Sequence, residues 1–130
     1  MNLDLTGKHA LVCGSTQGIG KAAAIELALL GANVTLVARN EEMLNSVLKE
    51  LDTSKGQKHN YVAADFAKPN ELKERVSQFL KNNSPTNILV NNTGGPHGGQ
   101  AIEANPEEFI QAFSNHLICN QILAQCVVEG

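Results

Sequence analysis

Between Lys8 and Arg39 the chain reads KHALVCGSTQGIGKAAAIELALLGANVTLVAR, and few folds accommodate that stretch. Lys8 to Cys13 is an apolar run of strand length. Gly14, Gly18 and Gly20 follow in a G-x-x-x-G-x-G spacing, and then a helical run, Ile19 to Leu30, with only Lys21 and Glu26 charged. Gly31 closes that run where glycine favours a helix C-terminus, and Val34 to Ala38 forms a second apolar strand. The order is strand, glycine turn, helix, strand: two parallel strands joined by a crossover helix. Glycine is required there for physical reasons. The backbone turns sharply out of the strand, meets a pyrophosphate with no side chain in the way, and lets the helix pack close to the sheet. The free N–H groups at the helix start then favour the negative phosphates. Glycines also make ordinary turns, but this strand-to-helix context points to dinucleotide binding.

The rest of the chain repeats the alternation. Asn40 is a helix cap, with Glu41 and Glu42 in the first turn and an apolar stripe of Met43, Leu44, Val47, Leu48 and Leu51 expected in the core. His59 to Ala64 reads as a third strand and Asn70 to Lys81 as a third amphipathic helix with Leu72, Val76, Phe79 and Leu80 inward. Asn87 to Val90 is a fourth strand, expected to be buried, and it leads into the loop NNTGGPHGGQ. The last helix starts at Asn105-Pro106 with Glu108 at the third position, a capping box, and continues with Phe109, Ala112, Phe113, Leu117 and Ala124 on one face. The element order β-α-β-α-β-α-β-α predicts an α/β fold of four strands and four helices, with helices on both faces of a parallel sheet.

Composition narrows the function. A chain of 130 residues with 42% hydrophobic content predicts one domain, 1–130, with a sizeable core. A net charge of −3 and a pI near 5.8 argue against nucleic acid or an anionic membrane as partner. MNLDLTGK has no apolar segment of a secretory signal, and no run of apolar residues is long enough to span a membrane. Cys13, Cys119 and Cys126 are an odd number in apolar surroundings, which predicts reduced thiols and a cytoplasmic protein.

The end of the second strand bears on the cofactor. An acidic residue there serves the ribose hydroxyl of NAD; this chain has Arg39, whose guanidinium suits the 2′-phosphate of NADP, a reading favoured over that of a merely solvated charge at a strand end. Asp65 either caps the turn before Lys68-Pro69 or contributes a ligand.

Three motifs in order, Cys13-Gly14-Ser15-Thr16-Gln17-Gly18-Ile19-Gly20, the Asp65 turn and Asn91-Asn92-Thr93-Gly94, resemble the short-chain dehydrogenase/reductase family in its NADP-using form. The branch that includes 3-oxoacyl-acyl-carrier-protein reductases is the most similar. The resemblance implies a Rossmann-type doubly wound parallel sheet and an NADPH-dependent reduction of a small-molecule carbonyl, a 3-oxoacyl group or related ketone, to an alcohol. It implies cofactor contacts at Gly14, Ser15, Gln17, Gly18 and Ile19, with Gly20 in the same turn; at Arg39 for the 2′-phosphate; at Asp65 and Phe66 beside the adenine; and at Asn91 and Gly94 further along. Cys13 and Thr93 replace the family's more usual Thr and Ala, and Gln17 replaces a frequent basic residue. The family's water-holding helix asparagine falls on His116, the one candidate catalytic residue here.

The family's Tyr-x-x-x-Lys, which supplies a proton to the alkoxide, is not found in these 130 residues. Tyr61 is the only tyrosine, and Asp65, four positions on, is expected to oppose its ionisation. The expectation is therefore the N-terminal cofactor portion of a longer domain, the sheet incomplete and the catalytic pair beyond Gly130, working as a homo-oligomer in full-length form. The alternatives are an NADP-binding module without turnover and a metal site at His116, Cys119 and His97, the latter disfavoured because paired ligand clusters are missing. No G-x-S-x-G elbow is present, which excludes a hydrolase of that type.

Overall fold

The computed structural model describes residues 2–95 and 98–129. In chain order it comprises β1 (His9–Cys13), α1 (Gly18–Leu29), β2 (Asn33–Ala38), α2 (Glu41–Glu50), β3 (Asn60–Ala63), α3 (Pro69–Lys81), β4 (Ile88–Val90), α4 (Pro106–Phe113), a π turn (Ser114–Ile118) and α5 (Cys119–Glu129). The predicted fourth helix is thus α4, the π turn and α5 in unbroken succession. The four strands form one parallel sheet in the order β3-β2-β1-β4. This is the doubly wound α/β arrangement expected.

Side chains on a strand alternate faces, and β1 shows the result directly. Ala10 and Val12 join Val34 and Leu36 beneath α1 and α2, where Ala24, Ala28, Leu44 and Val47 are buried. Leu11 and Cys13 join Val37 and Val62 on the other face, beneath Leu72 and Val76 of α3 and Cys119, Leu123 and Cys126 of α5. A strand covered on both faces reads as a continuous apolar run, which is why β1 and β2 were conspicuous in the sequence. Small residues on α1 let it lie close to the sheet.

Helix ends follow their sequence signals. The Asn40 side chain accepts from the Met43 N–H at 3.1 Å. Asn105 accepts from the Glu108 N–H at 3.1 Å while the Glu108 carboxylate accepts from the Asn105 N–H at 2.8 Å, a complete capping box.

Three expectations are corrected. Met43 is exposed, because the inward face of α2 is taken by Leu44, Val47 and Leu51, and Met43 lies outside it. β4 is half-buried and not buried, since it forms the outer strand beside β1. Phe109, Phe113 and Leu117 face solvent, and α5 meets the core through Cys119, Leu123 and Cys126. α4 buries none of its residues and packs chiefly on the π turn rather than on the sheet, so Phe109 and Phe113, which precede that turn, stay uncovered among the described residues.

Candidate functional site

Parallel strands deliver the residues after β1, β2 and β4 to one edge of the sheet. The Gly14 N–H donates to the Val37 carbonyl at 3.0 Å, which holds the turn against β2. Asn92, just after β4, closes the other side: its side-chain Nδ2 donates to the carbonyls of Gly14 at 3.3 Å and Cys13 at 3.5 Å. There is no room for larger residues in this contact. A Cβ at Gly14 would lie 2.5 Å from the Asn92 carbonyl oxygen, and one at Gly20 would collide with the Gly14 carbonyl oxygen and stand 2.7 Å from Asn92 Nδ2. Gly18 is different. Its φ of +59° favours glycine, and a Cβ there would meet nothing within 4 Å. The first turn of α1 has no side-chain cap, Gln17 is extended and exposed, and Ile19 is 80% exposed. The glycine turn is therefore packed tightly on its inner side and open on its outer side.

Ser15 lies within this turn. It is fully buried, and its Oγ has no hydrogen-bond partner among the described residues. Leaving a buried hydroxyl unpaired costs about 1–3 kcal/mol, and such an atom marks a place where a ligand or water belongs. Beyond β2, Arg39 is exposed and makes no ion pair or side-chain hydrogen bond among the described residues. Asp65 and Phe66 follow β3 and are half-buried. The Asp65 carboxylate accepts from the Ala67 N–H at 2.9 Å and its carbonyl from the Lys68 N–H at 3.0 Å, so it caps its turn. The Phe66 carbonyl accepts from the Cys119 thiol at 3.2 Å. Asn91 and Gly94 are exposed beyond β4. Of the two asparagines, Asn92 is the one that reaches the glycine turn. Nothing local in the sequence signals this role, because its partners stand 78 and 79 residues away.

His116 sits in the π turn, where its Nδ1 and the Thr93 hydroxyl are 2.7 Å apart. That bond ties the loop after β4 to the helix, a contact with no local signal in the sequence. Asn115 points elsewhere, accepting from Gln111 at 2.8 Å. Tyr61 donates its hydroxyl to the Glu41 carboxylate at 2.8 Å. That bond is the main cause that raises its pKa, so the opposing acid is Glu41 and not Asp65. Burial, with Cys119 nearby, pushes the Cys13 thiol up to about 12, and burial also raises Cys119. Both remain protonated at neutral pH and are poor nucleophiles or metal ligands. No three His, Cys, Asp or Glu side chains converge among the described residues. His97 lies outside them. A cleft of about 440 Å³ opens between the loop from Gly98 to Ala104 and Glu108, Phe109 and Ala112 of α4.

A parallel sheet with a bare glycine turn and an uncapped helix at the end of its first strand defines a dinucleotide-binding protein. The short chain dehydrogenase family model matches residues 8–127, and the chain belongs to that family. It is 40% identical over 92 residues to a very-long-chain 3-oxoacyl-CoA reductase of Schizosaccharomyces pombe, a match covering 70% of this chain and 27% of that protein. It is 41% identical over 88 residues to the inactive hydroxysteroid dehydrogenase-like protein 1 of Homo sapiens, covering 68% of this chain and 26% of the relative. The crystal structure of L-sorbose reductase from Gluconobacter frateurii, complexed with NADPH and L-sorbose, superposes with a TM-score of 0.89 at 30% identity, over 99% of this chain and 49% of that one. The chain thus spans 26–27% of the length of these two curated relatives and 49% of the solved structure. Among the described residues no helix is long and apolar enough to cross a membrane.

Proposed function

We propose that these residues hold NADPH for the reduction of a small-molecule carbonyl, a 3-oxoacyl group or related ketone, to an alcohol. The observation that carries the reading is the glycine turn: closed by Asn92 on its inner side, open at Gly18, and lined by a buried Ser15 hydroxyl without a partner. Gly14, Ser15, Gln17, Gly18, Ile19 and Gly20 would hold the pyrophosphate, Arg39 the 2′-phosphate, Asp65 and Phe66 the adenine end, and Asn91 and Gly94 the end nearer the nicotinamide. NADPH supplies a hydride to the carbonyl carbon, and the resulting alkoxide needs a proton. Tyr61 is unsuited to give it, being bound to Glu41, so the donor comes from outside these 130 residues. With Nδ1 of His116 engaged by Thr93, its Nε2 is the ring nitrogen left to hold a water on the proton's path. The length of the matched relatives supports the reading of 1–130 as the cofactor portion of a longer domain.

The test uses the natural full-length protein. It is expected to bind NADPH more tightly than NADH and to oxidise it with a ketone or 3-oxoacyl thioester. Arg39→Ala is expected to weaken NADPH binding by roughly ten- to a hundred-fold, the worth of a charge-assisted contact, with NADH little changed. Failure to bind NADPH sinks the whole reading; binding without turnover on any carbonyl leaves a nucleotide-holding module in its place.

A further inference from the structure

Arg39 is followed at once by acids. Glu41 and Glu42 open α2, two and three residues beyond it, and a carboxylate beside the guanidinium would compete with a phosphate for it. Yet Arg39 has no ion pair among the described residues. The first of these acids, Glu41, is engaged by a residue of another strand. Tyr61 lies on β3, opposite Leu36 of β2, with its ring packed against the core under α2. Its hydroxyl reaches Glu41 Oε1 at 2.8 Å, while the Glu41 carbonyl accepts from the Asn45 side chain at 3.1 Å. A half-buried aromatic ring is a firmer anchor than a long exposed side chain, because little freedom is left to it once packed.

We propose that Tyr61 is a specificity-positioning residue: by holding the Glu41 carboxylate toward β3 it keeps the Arg39 guanidinium available for a 2′-phosphate. This inference rests on the assignment of Arg39 to that phosphate. Two effects act in the same direction when the hydroxyl is removed. The released carboxylate pairs with Arg39, and it places a second negative charge near the phosphate. Both lower affinity for NADPH and leave NADH, which has no 2′-phosphate, unaffected. The size is that of one exposed ion pair, roughly a two- to five-fold loss of NADPH affinity. The raised pKa of Tyr61 agrees with a hydroxyl that stays protonated and keeps donating.

The experiment titrates the natural full-length protein with NADPH and with NADH, following nucleotide fluorescence, for wild type, Tyr61→Phe, the double variant Tyr61→Phe/Glu41→Gln, and Arg39→Ala. Tyr61→Phe is expected to reduce the NADPH-to-NADH preference two- to five-fold, and the added Glu41→Gln to restore it, since an uncharged amide competes poorly for a guanidinium. A purely structural tyrosine would weaken both nucleotides together and would not be rescued; that result, or an unchanged preference in Tyr61→Phe, overturns the inference. Arg39→Ala separates the two levels. If it abolishes the preference while Tyr61→Phe leaves it intact, only the role of Tyr61 falls. If it too leaves the preference intact, the assignment of Arg39 falls with it.

Discussion

Substituting alanine at Gly20 and at Gly18 separates the inner side of the glycine turn from its outer side. At Gly20 the new methyl group would collide with the Gly14 carbonyl and stand 2.7 Å from Asn92 Nδ2. Overpacking costs about 1–3 kcal/mol, and main chain yields less than a side chain, so ~3 kcal/mol applies. Alanine returns about 1 kcal/mol through its better helix propensity in α1. The net loss is ~2 kcal/mol, a fall in Tm of ~6–10 °C at roughly 3–5 °C per kcal/mol for a domain of this size. At Gly18 no atom lies within 4 Å, but φ is +59°. The left-handed conformation costs about 1–2 kcal/mol with a Cβ, partly offset by a less flexible unfolded chain, which leaves ~1 kcal/mol and a fall of ~3–5 °C. The order is expected to reverse for binding: the Gly18 methyl group enters the space proposed for the pyrophosphate and should lower NADPH affinity, whereas its effect on the fold is the smaller of the two. Thermal unfolding by circular dichroism and NADPH fluorescence titration read the two effects separately. Equal melting of the two variants, or a milder loss at Gly20 than at Gly18, refutes the close-packing argument.

Two further outcomes concern stability. Asn105→Ala removes the cap of α4 and its reciprocal bond with Glu108, so the urea midpoint is expected to fall by the equivalent of about 1 kcal/mol, with Asn105→Asp retaining most of it. The Cys13 thiol, raised from 9.0 to about 12, gives a signed pH dependence. A raised folded pKa contributes stability fully present below the unfolded value and lost as pH climbs through the folded one, so the native state should lose stability between pH 9.0 and about 12 in wild type. Cys13→Ser, followed across the same range by urea unfolding, should show a shallower decline; an identical decline counts against Cys13 as its source.

The parts of the fold that were legible in the sequence were those set by neighbours along the chain. The glycine turn, the Asn105 capping box and the β1 strand itself depend on residues a few positions apart, and each lies where the pattern indicated. Met43 was misread because helical spacing gives a stripe but not its width. The misplaced face of the last helix has a different origin: helical spacing marks an apolar stripe but not whether the rest of the fold covers it, and α4 buries none of its residues. In the candidate site, the place of Gly14 and Gly18 in the turn after β1 was readable from motif position. Asn92, the Thr93–His116 bond and the Tyr61–Glu41 bond were not, because each joins segments 20 to 78 residues apart that meet only once the sheet has formed.

The clamp between Asn92 and the glycine turn also decides when disorder is removed. Fixing a residue's backbone costs about 1–2 kcal/mol of conformational entropy, so the run from Gly14 to Gly18 represents on the order of 5–10 kcal/mol. Because the clamp orders the inner side of that run during folding, an arriving dinucleotide meets a turn already set and keeps more of its contact energy as affinity. The same economy ties the glycine turn to β4. Asn92 follows β4, a strand of three residues with β1 as its strand neighbour, so any local opening of β4 also releases the turn. Ligand occupancy and the pairing of β4 with β1 are therefore linked, each favouring the other.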